Sequence, residues 1–174
     1  MGIIVKQAFF SSIFSYLGAL LGFLNVTILM NRWLTPDELG LREILLTIAV
    51  LVSQLGGLGS TNSIIKFYPF FRIKGSTKDK GLLMIGALIS FVGFILFGGL
   101  IFLFKNDIIL RFNDDGTLFL DFFWLLFPLS FLLLSNSLLE GYIKSRSNIT
   151  FPTFIKEVFH RILVLAILVC YYFK

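Results

Sequence analysis

Uncharged apolar runs dominate this sequence and restrict its fold to a narrow class. Four of them cover residues 7–31, 44–65, 81–104 and 122–139, and the last is only just long enough. Runs of about 18 or more such residues are typical of helices that cross a bilayer. A soluble domain carries roughly 25% charged residues, whereas this chain carries 14%. The sequence therefore predicts an all-α, polytopic transmembrane helix bundle.

About five spans are expected, and together they make residues 1–174 a single transmembrane domain with no soluble part. The second span is interrupted by Gln54 and by three nearby glycines. The first run is too long for the apolar region of a signal peptide, so we expect it to remain as a membrane anchor. The predicted spans cover about residues 7–31, 41–65, 81–104, 118–141 and 150–173.

The distribution of charge predicts the orientation. With a cytoplasmic N-terminus, the inner segments hold ten basic and three acidic residues, and the outer segments hold five basic and seven acidic ones. Cytoplasmic loops of membrane proteins carry an excess of Lys and Arg, so we expect this orientation. The net charge of +5 then reflects topology, and no nucleic-acid partner is needed to explain it. The inner basic residues are Lys6, Lys66, Arg72, Lys74, Lys78, Lys80, Lys144, Arg146, Lys156 and Arg161.

Motifs of soluble enzymes are missing from the sequence. It has no Cys/His cluster with metal-ligand spacing, no glycine-rich phosphate loop and no paired carboxylates in a soluble cleft. Cys170 is the single cysteine and cannot form an intrachain disulfide. We therefore expect no enzymatic activity, no metal and no cofactor.

The fifth predicted helix carries Lys156, Glu157, His160 and Arg161. At 100° per residue these four lie within about 140° of one another, on one face. Glu157 and Arg161 also have the i,i+4 order that favours an ion pair. Charges in hydrocarbon are costly, so one interpretation is a face turned toward the bundle interior or a watery cavity. The alternative is a cytoplasmic interfacial segment whose Lys156 and Arg161 reach the headgroups.

Isolated polar and small residues in the spans predict contacts between helices. Asn25, Gln54 and Asn136 are expected to form interhelical hydrogen bonds rather than substrate contacts. Gly18 and Gly22, four residues apart, are expected to form a seam of close helix packing.

The connection after the first span has the pattern of a helix start. Thr35 and Glu38 match a capping box, in which each side chain bonds the other's backbone N–H. Pro36 suits the first helical position. By themselves these residues predict only a well-formed N-terminus for the second helix.

Two longer motifs point to a family. Residues 34–40 read Leu-Thr-Pro-Asp-Glu-Leu-Gly, and residues 58–69 read Leu-Gly-Ser-Thr-Asn-Ser-Ile-Ile-Lys-Phe-Tyr-Pro. In this order after an uncharged first span, they resemble the N-terminal region of the bacterial oligosaccharide flippases. These are also called polysaccharide biosynthesis proteins and belong to the multidrug/oligosaccharidyl-lipid/polysaccharide exporter superfamily.

The resemblance implies a function and site residues. Such flippases carry an undecaprenyl-diphosphate-linked oligosaccharide from the inner to the outer leaflet of the bacterial inner membrane, by alternating access between two helical lobes. Lys66 stands at the family's basic position, and Thr35, Pro36 and Gly40 match its turn. The implied partners are the bilayer, the lipid-linked oligosaccharide, and a glycan polymerase or glycosyltransferases.

Further substrate contacts are expected from charge and placement. Arg42 and Arg161 are candidate diphosphate ligands because the arginine fork matches phosphate geometry. Lys156, Glu157 and His160 share the face of Arg161 and are candidates with it. For Arg42 and Lys66, simple anchoring to lipid headgroups at the span ends is an equally strong interpretation.

The chain departs from the family pattern in length. Family members have twelve or more spans in two lobes, whereas about five are predicted here, so the chain looks like an incomplete N-terminal lobe. Two alternatives remain open from the sequence. One is a fragment of a multidrug or small-cation exporter, and the other is a non-transporting membrane scaffold of a polysaccharide assembly complex.

Overall fold

A computed structural model describes residues 2–72, 79–105, 116–146 and 150–172. The regular secondary structure among these residues is helical and includes no strand, which confirms the all-α prediction. We number six helices in chain order, three of which change their winding along their length. They are α1 (Ile3–Phe23, continued by the π-helical Leu24–Met30 and by Asn31–Trp33), α2 (Pro36–Gly56), α3 (Ser60–Arg72), α4 (Asp79–Leu103), α5 (Gly116–Phe122, the 3-10 turn Phe123–Leu125 and Leu126–Ser145) and α6 (Thr150–Phe154, the π-helical Ile155–Phe159 and His160–Tyr172).

Four helices of the described residues are long and apolar enough to cross a membrane. They are Val5–Trp33, Pro36–Gly56, Gly81–Leu103 and Phe119–Ser145. Large apolar side chains on these helices point outward: Met84, Val92 and Leu132 are each at least 60% exposed. Apolar surface on this scale is stable against lipid and not against water, so the chain is membrane-embedded. Helix α6, with three charged residues, is not among the four.

The chain divides into two compact units, which we describe separately. One consists of Met1–Leu39 together with Arg146–Lys174, and contains α1 and α6. The other consists of Gly40–Ser145 and contains most of α2 and all of α3, α4 and α5. The single transmembrane domain expected for residues 1–174 stays a prediction.

In the Gly40–Ser145 unit, the second apolar run is not one helix. Helix α2 ends at Gly56, and α3 begins at Ser60. Between them, Leu58 and Gly59 have positive φ values of 46° and 72°, which no α-helix contains. The predicted span at 41–65 is therefore divided between two helices, and the interruption expected near the three glycines is a turn in left-handed conformation.

The break faces the middle of α4. A Cβ atom on Gly56 would lie 3.2 Å from the backbone of Phe94, near the midpoint of Asp79–Leu103. Beyond the break, the buried hydroxyls of Ser60 and Ser90 are hydrogen-bonded to each other. One turn further along α3, Ile64 packs on Gly86. From one contact to the next, residue numbers rise on α3 and fall on α4, so the two helices are antiparallel.

The core of this unit lies on both sides of the break. On the α2 side, Leu45 and Val52 pack with aromatic and aliphatic side chains of α5. On the α3 side, Ile64 packs with Leu134 and Leu138. The α5 residues of the first cluster are Phe119, Phe123 and Leu126.

Candidate functional site

The charged residues of α6 meet the first helix. Arg161 Nη2 donates to Glu157 Oε2 at 3.0 Å, which confirms the ion pair expected from their i,i+4 spacing. Arg161 Nη1 donates to the carbonyl oxygen of Gly18 in α1. Both charged side chains are about one-quarter to one-third exposed, at 26% for Glu157 and 30% for Arg161. The pair is therefore neutral overall and is set against the backbone of α1.

Two glycines of α1 make room for this pair. A Cβ atom on Gly18 would lie 2.8 Å from both Cβ and the carbonyl oxygen of Glu157, and one on Gly22 would overlap the guanidinium of Arg161. Real Cβ contacts are longer, so another residue at Gly18 would displace α6, and one at Gly22 would force the Arg161 guanidinium to move. The predicted packing seam is confirmed, and its partners are the two charged side chains.

Asn25, about one turn beyond Gly22 in α1, makes a further contact with α6. Its Nδ2 donates to the backbone carbonyl oxygen of Arg161 at 2.8 Å, and the residue is only 2% exposed. The predicted interhelical hydrogen bond of Asn25 is thus confirmed. Both helices adopt π winding at this contact, in Leu24–Met30 and in Ile155–Phe159. Such segments widen the turn and often occur at functional sites.

Lys156 and His160 lie on the more exposed side of α6. Both residues are exposed, whereas Glu157 and Arg161 are partly covered. The four residues predicted on one face therefore differ in exposure, and the less exposed pair, Glu157 and Arg161, packs on α1. The expected substrate role of all four stays a prediction.

Lys66 lies on the outer face of α3. Ser60, Ile64 and Tyr68 form the buried face of this helix, and at 100° per residue Lys66 projects from the opposite side. Asn62 and Ser63 accompany it there, and all three are exposed. Within the described part of the chain, Lys66 makes no ion pair. Its ammonium group is available to an anion.

Arg42 is already paired. Its Nη1 contacts Glu43 Oε1, and its side chain is 32% exposed. The negative charge of Glu43 offsets the positive charge of Arg42, which was predicted to bind the diphosphate of the substrate. Arg42 is therefore a weaker candidate for an anion ligand than Lys66.

The predicted helix start is confirmed in detail. The backbone N–H of Thr35 donates to Glu38 Oε2 at 2.8 Å, and the N–H of Glu38 lies 3.4 Å from Thr35 Oγ1. Pro36 is the first residue of α2. Gly40 has no atom within 4 Å of where its Cβ would be, so packing does not require a glycine there.

Two other polar expectations are wrong. The side chains of Gln54 and Asn136 are exposed and form no hydrogen bond with other described residues, so they do not join the described helices. Two polar contacts between helices were not predicted from the sequence, Ser60 with Ser90 and Thr61 with Ser137, the latter at 3.3 Å. The sequence shows a serine and a threonine directly after the glycine-rich stretch, but it does not indicate their hydrogen-bond partners, which are remote in sequence.

The described residues include no group of three or more His, Cys, Asp or Glu side chains that could hold a metal ion. No known family model, curated protein or solved structure matches this chain.

Proposed function

We propose that this chain is a lobe of a membrane transporter of the oligosaccharide-flippase type. Its substrate would be an undecaprenyl-diphosphate-linked oligosaccharide, moved from the inner to the outer leaflet of a bacterial inner membrane for surface polysaccharide synthesis. The resemblance of residues 34–40 and 58–69 to that family motivates the proposal. One structural observation supports it: the polar face of α3 at Lys66.

That face is hard to reconcile with a purely lipid-facing helix. Ser60 is level with Ser90, close to the middle of α4, and Lys66 lies about 9 Å further along the α3 axis at 1.5 Å per residue. The hydrocarbon half-thickness of a bilayer is about 15 Å. Asn62, Ser63 and Lys66 therefore project outward at hydrocarbon depth when α4 spans the membrane. Exposed polar groups at this depth normally face water or a substrate path.

The chemistry of Lys66 fits one step of such transport. Its ammonium group is a compact positive charge with three donors, which suits a phosphate oxygen. With a cytoplasmic N-terminus, α3 runs from the bilayer centre toward the cytoplasm. Lys66 would then meet the diphosphate as the lipid-linked substrate enters from the inner leaflet.

The proposed mechanism sets a further requirement. Alternating access needs a second body for the lobe to move against, so the proposed activity requires additional spans, from the same gene or from a partner chain. Glycan polymerase or glycosyltransferases are the expected neighbours in the membrane.

The test is substitution of Lys66 in cells that depend on the gene for this protein for glycan export. Lys66→Ala should lower the export of lipid-linked glycan by at least about tenfold, the ratio expected when a charge-assisted hydrogen bond of roughly 1.5 kcal/mol is lost. Lys66→Arg should retain most of the export because it keeps the charge. Lys6→Ala, an exposed lysine at the start of α1, is the matched control.

The headgroup-anchoring interpretation makes a different prediction. It expects Lys66→Ala to lower the amount of protein in the membrane without changing export per molecule. Wild-type export per molecule in Lys66→Ala would refute the proposed role of this residue.

A further inference from the structure

We infer that α6 crosses the membrane parallel to α1, and that Arg161 and Glu157 form a neutral clamp between the two helices at hydrocarbon depth. This inference does not depend on the transported substrate. It makes Arg161 a positioning residue for the helix pair and not a ligand of the diphosphate.

The direction of α6 follows from three contacts in order. The rings of Phe14 and Phe154 stack edge to face with centroids 5.2 Å apart. Gly18 lies against Glu157, and Gly22 lies against Arg161. Residue numbers rise together on both helices, so α1 and α6 run side by side in the same direction. A helix lying flat on the membrane surface could not keep this register with a spanning α1.

The depth of the clamp follows from the length of α1. The apolar helix covers Val5–Trp33, and Gly18 lies about 20 Å from each end at 1.5 Å per residue. Glu157, which packs on Gly18, is therefore at the level of the centre of α1. This position is too deep for the interfacial interpretation, in which these charges sit among lipid headgroups.

Helix α6 is long enough to span. Residues 150–172 give a helix of about 34 Å, against a hydrocarbon thickness of about 30 Å. The parallel direction also agrees with the number of apolar runs. The chain crosses the membrane three times between the end of α1 and the start of α6. Helix α6 therefore begins on the same side of the membrane as α1 does.

The clamp explains how α6 can carry charges at this depth. A lone charge in hydrocarbon is costly, and charged residues in spans pair with each other or with backbone carbonyls. Arg161 does both, with Glu157 and with the Gly18 carbonyl oxygen. Glycine at positions 18 and 22 lets the charged side chains reach the α1 backbone, which covers most of their surface.

Disulfide crosslinking in native membranes tests the register. In a Cys170→Ser background, cysteines at Phe14 and Phe154 should crosslink on mild oxidation. The control pair, cysteines at Phe14 and Leu168, lies at opposite ends of the parallel arrangement and should not. Crosslinking of the control pair, or of neither pair, would overturn the inference.

Substitutions that replace Glu157 or Arg161 with an uncharged residue test the clamp itself. Glu157→Gln and Arg161→Gln each leave one unpaired charge, so each should reduce the yield of the Phe14–Phe154 crosslink by several fold. The double variant leaves no charge and should recover most of the yield. If the double variant were no better than either single one, or if both single variants crosslinked like the parent, the clamp would be ruled out.

Membrane sidedness provides an independent check that does not depend on the folding of any charge variant. In the same Cys170→Ser background, a cysteine at Gly2 and one at Lys174 should react with a membrane-impermeant thiol reagent from opposite sides. Reaction from the same side would refute a fifth crossing. If the two cysteines reacted from opposite sides but the protein exported no glycan, this inference would stand and only the proposed transport would be contradicted.

Discussion

A Cβ atom on Gly93 would collide with the carbonyl oxygen of Gly56. Helices α2 and α4 therefore cross with their backbones in direct contact, at the point where α2 ends. Small residues permit this kind of approach between helices in membranes, where packing and hydrogen bonding drive association. The contact fixes the break in the second apolar run against the middle of α4.

Substituting Gly93 with alanine should destabilise the protein. The added methyl group has no space and forces the two backbones apart, at a cost of about 1–3 kcal/mol in the free energy of unfolding. Gly99→Ala is the matched control on the same helix, since nothing lies within 4 Å of its Cβ position, and alanine favours the helix by about 1 kcal/mol. Denaturant unfolding in detergent micelles measures both. Equal stabilities for the two variants would contradict the close crossing.

The serine pair beyond the break should contribute a measurable coupling. Ser60 and Ser90 are 3% and 0% exposed and share a hydrogen bond. Interhelical hydrogen bonds in membranes contribute about 0.6 kcal/mol on average and up to about 1.7. A double-mutant cycle of Ser60→Ala and Ser90→Ala should return a coupling energy in this range. Strictly additive effects would show that the two hydroxyls do not stabilise each other.

The capping box should protect the first turn of α2. Thr35→Ala removes the acceptor for the Glu38 N–H and should cost about 0.5–2 kcal/mol. Amide hydrogen exchange at Glu38 is the direct readout and should accelerate by about twofold or more, since 0.5–2 kcal/mol is a factor of roughly 2–30. Thr35→Ser keeps the hydroxyl and should exchange at the parent rate. If the alanine and serine variants exchanged equally, the cap would have no role.

Features set by neighbouring residues were predictable from sequence. The capping box needs only residues 35–38, and the ion pair of Glu157 with Arg161 needs only their spacing on a helix. The apolar runs likewise indicated spanning helices because composition alone determines whether a helix is stable in lipid. In each case the physical cause lies within one or two helical turns.

Features that depend on remote partners were not predictable. The glycines near Gln54 indicated an interruption, but not that Gly56 would end the helix against Gly93. The charges on α6 allowed two interpretations because nothing nearby in sequence reveals that Gly18 lies opposite Glu157. Gln54 and Asn136 show the reverse error, since a polar residue in a span does not reveal which way it points.

The polar face of α3 should be open to water. Asn62 and Phe67 are both exposed, but they project about 140° apart at 100° per residue. If the polar side lines an aqueous path, a cysteine in place of Asn62 can ionise and react with a membrane-impermeant thiol reagent. A cysteine in place of Phe67 would face lipid, where the reactive thiolate does not form.

In a Cys170→Ser background, Asn62→Cys should therefore label at least about tenfold faster than Phe67→Cys, because only a hydrated thiol supplies the thiolate. Position 67 is further from the break and nearer the end of α3 than position 62. Access from the membrane surface alone would favour position 67, so the comparison separates a water path from simple proximity to solvent. Faster labelling at Phe67→Cys would mean that Asn62 faces lipid or another helix, and the polar face would no longer support a transport role.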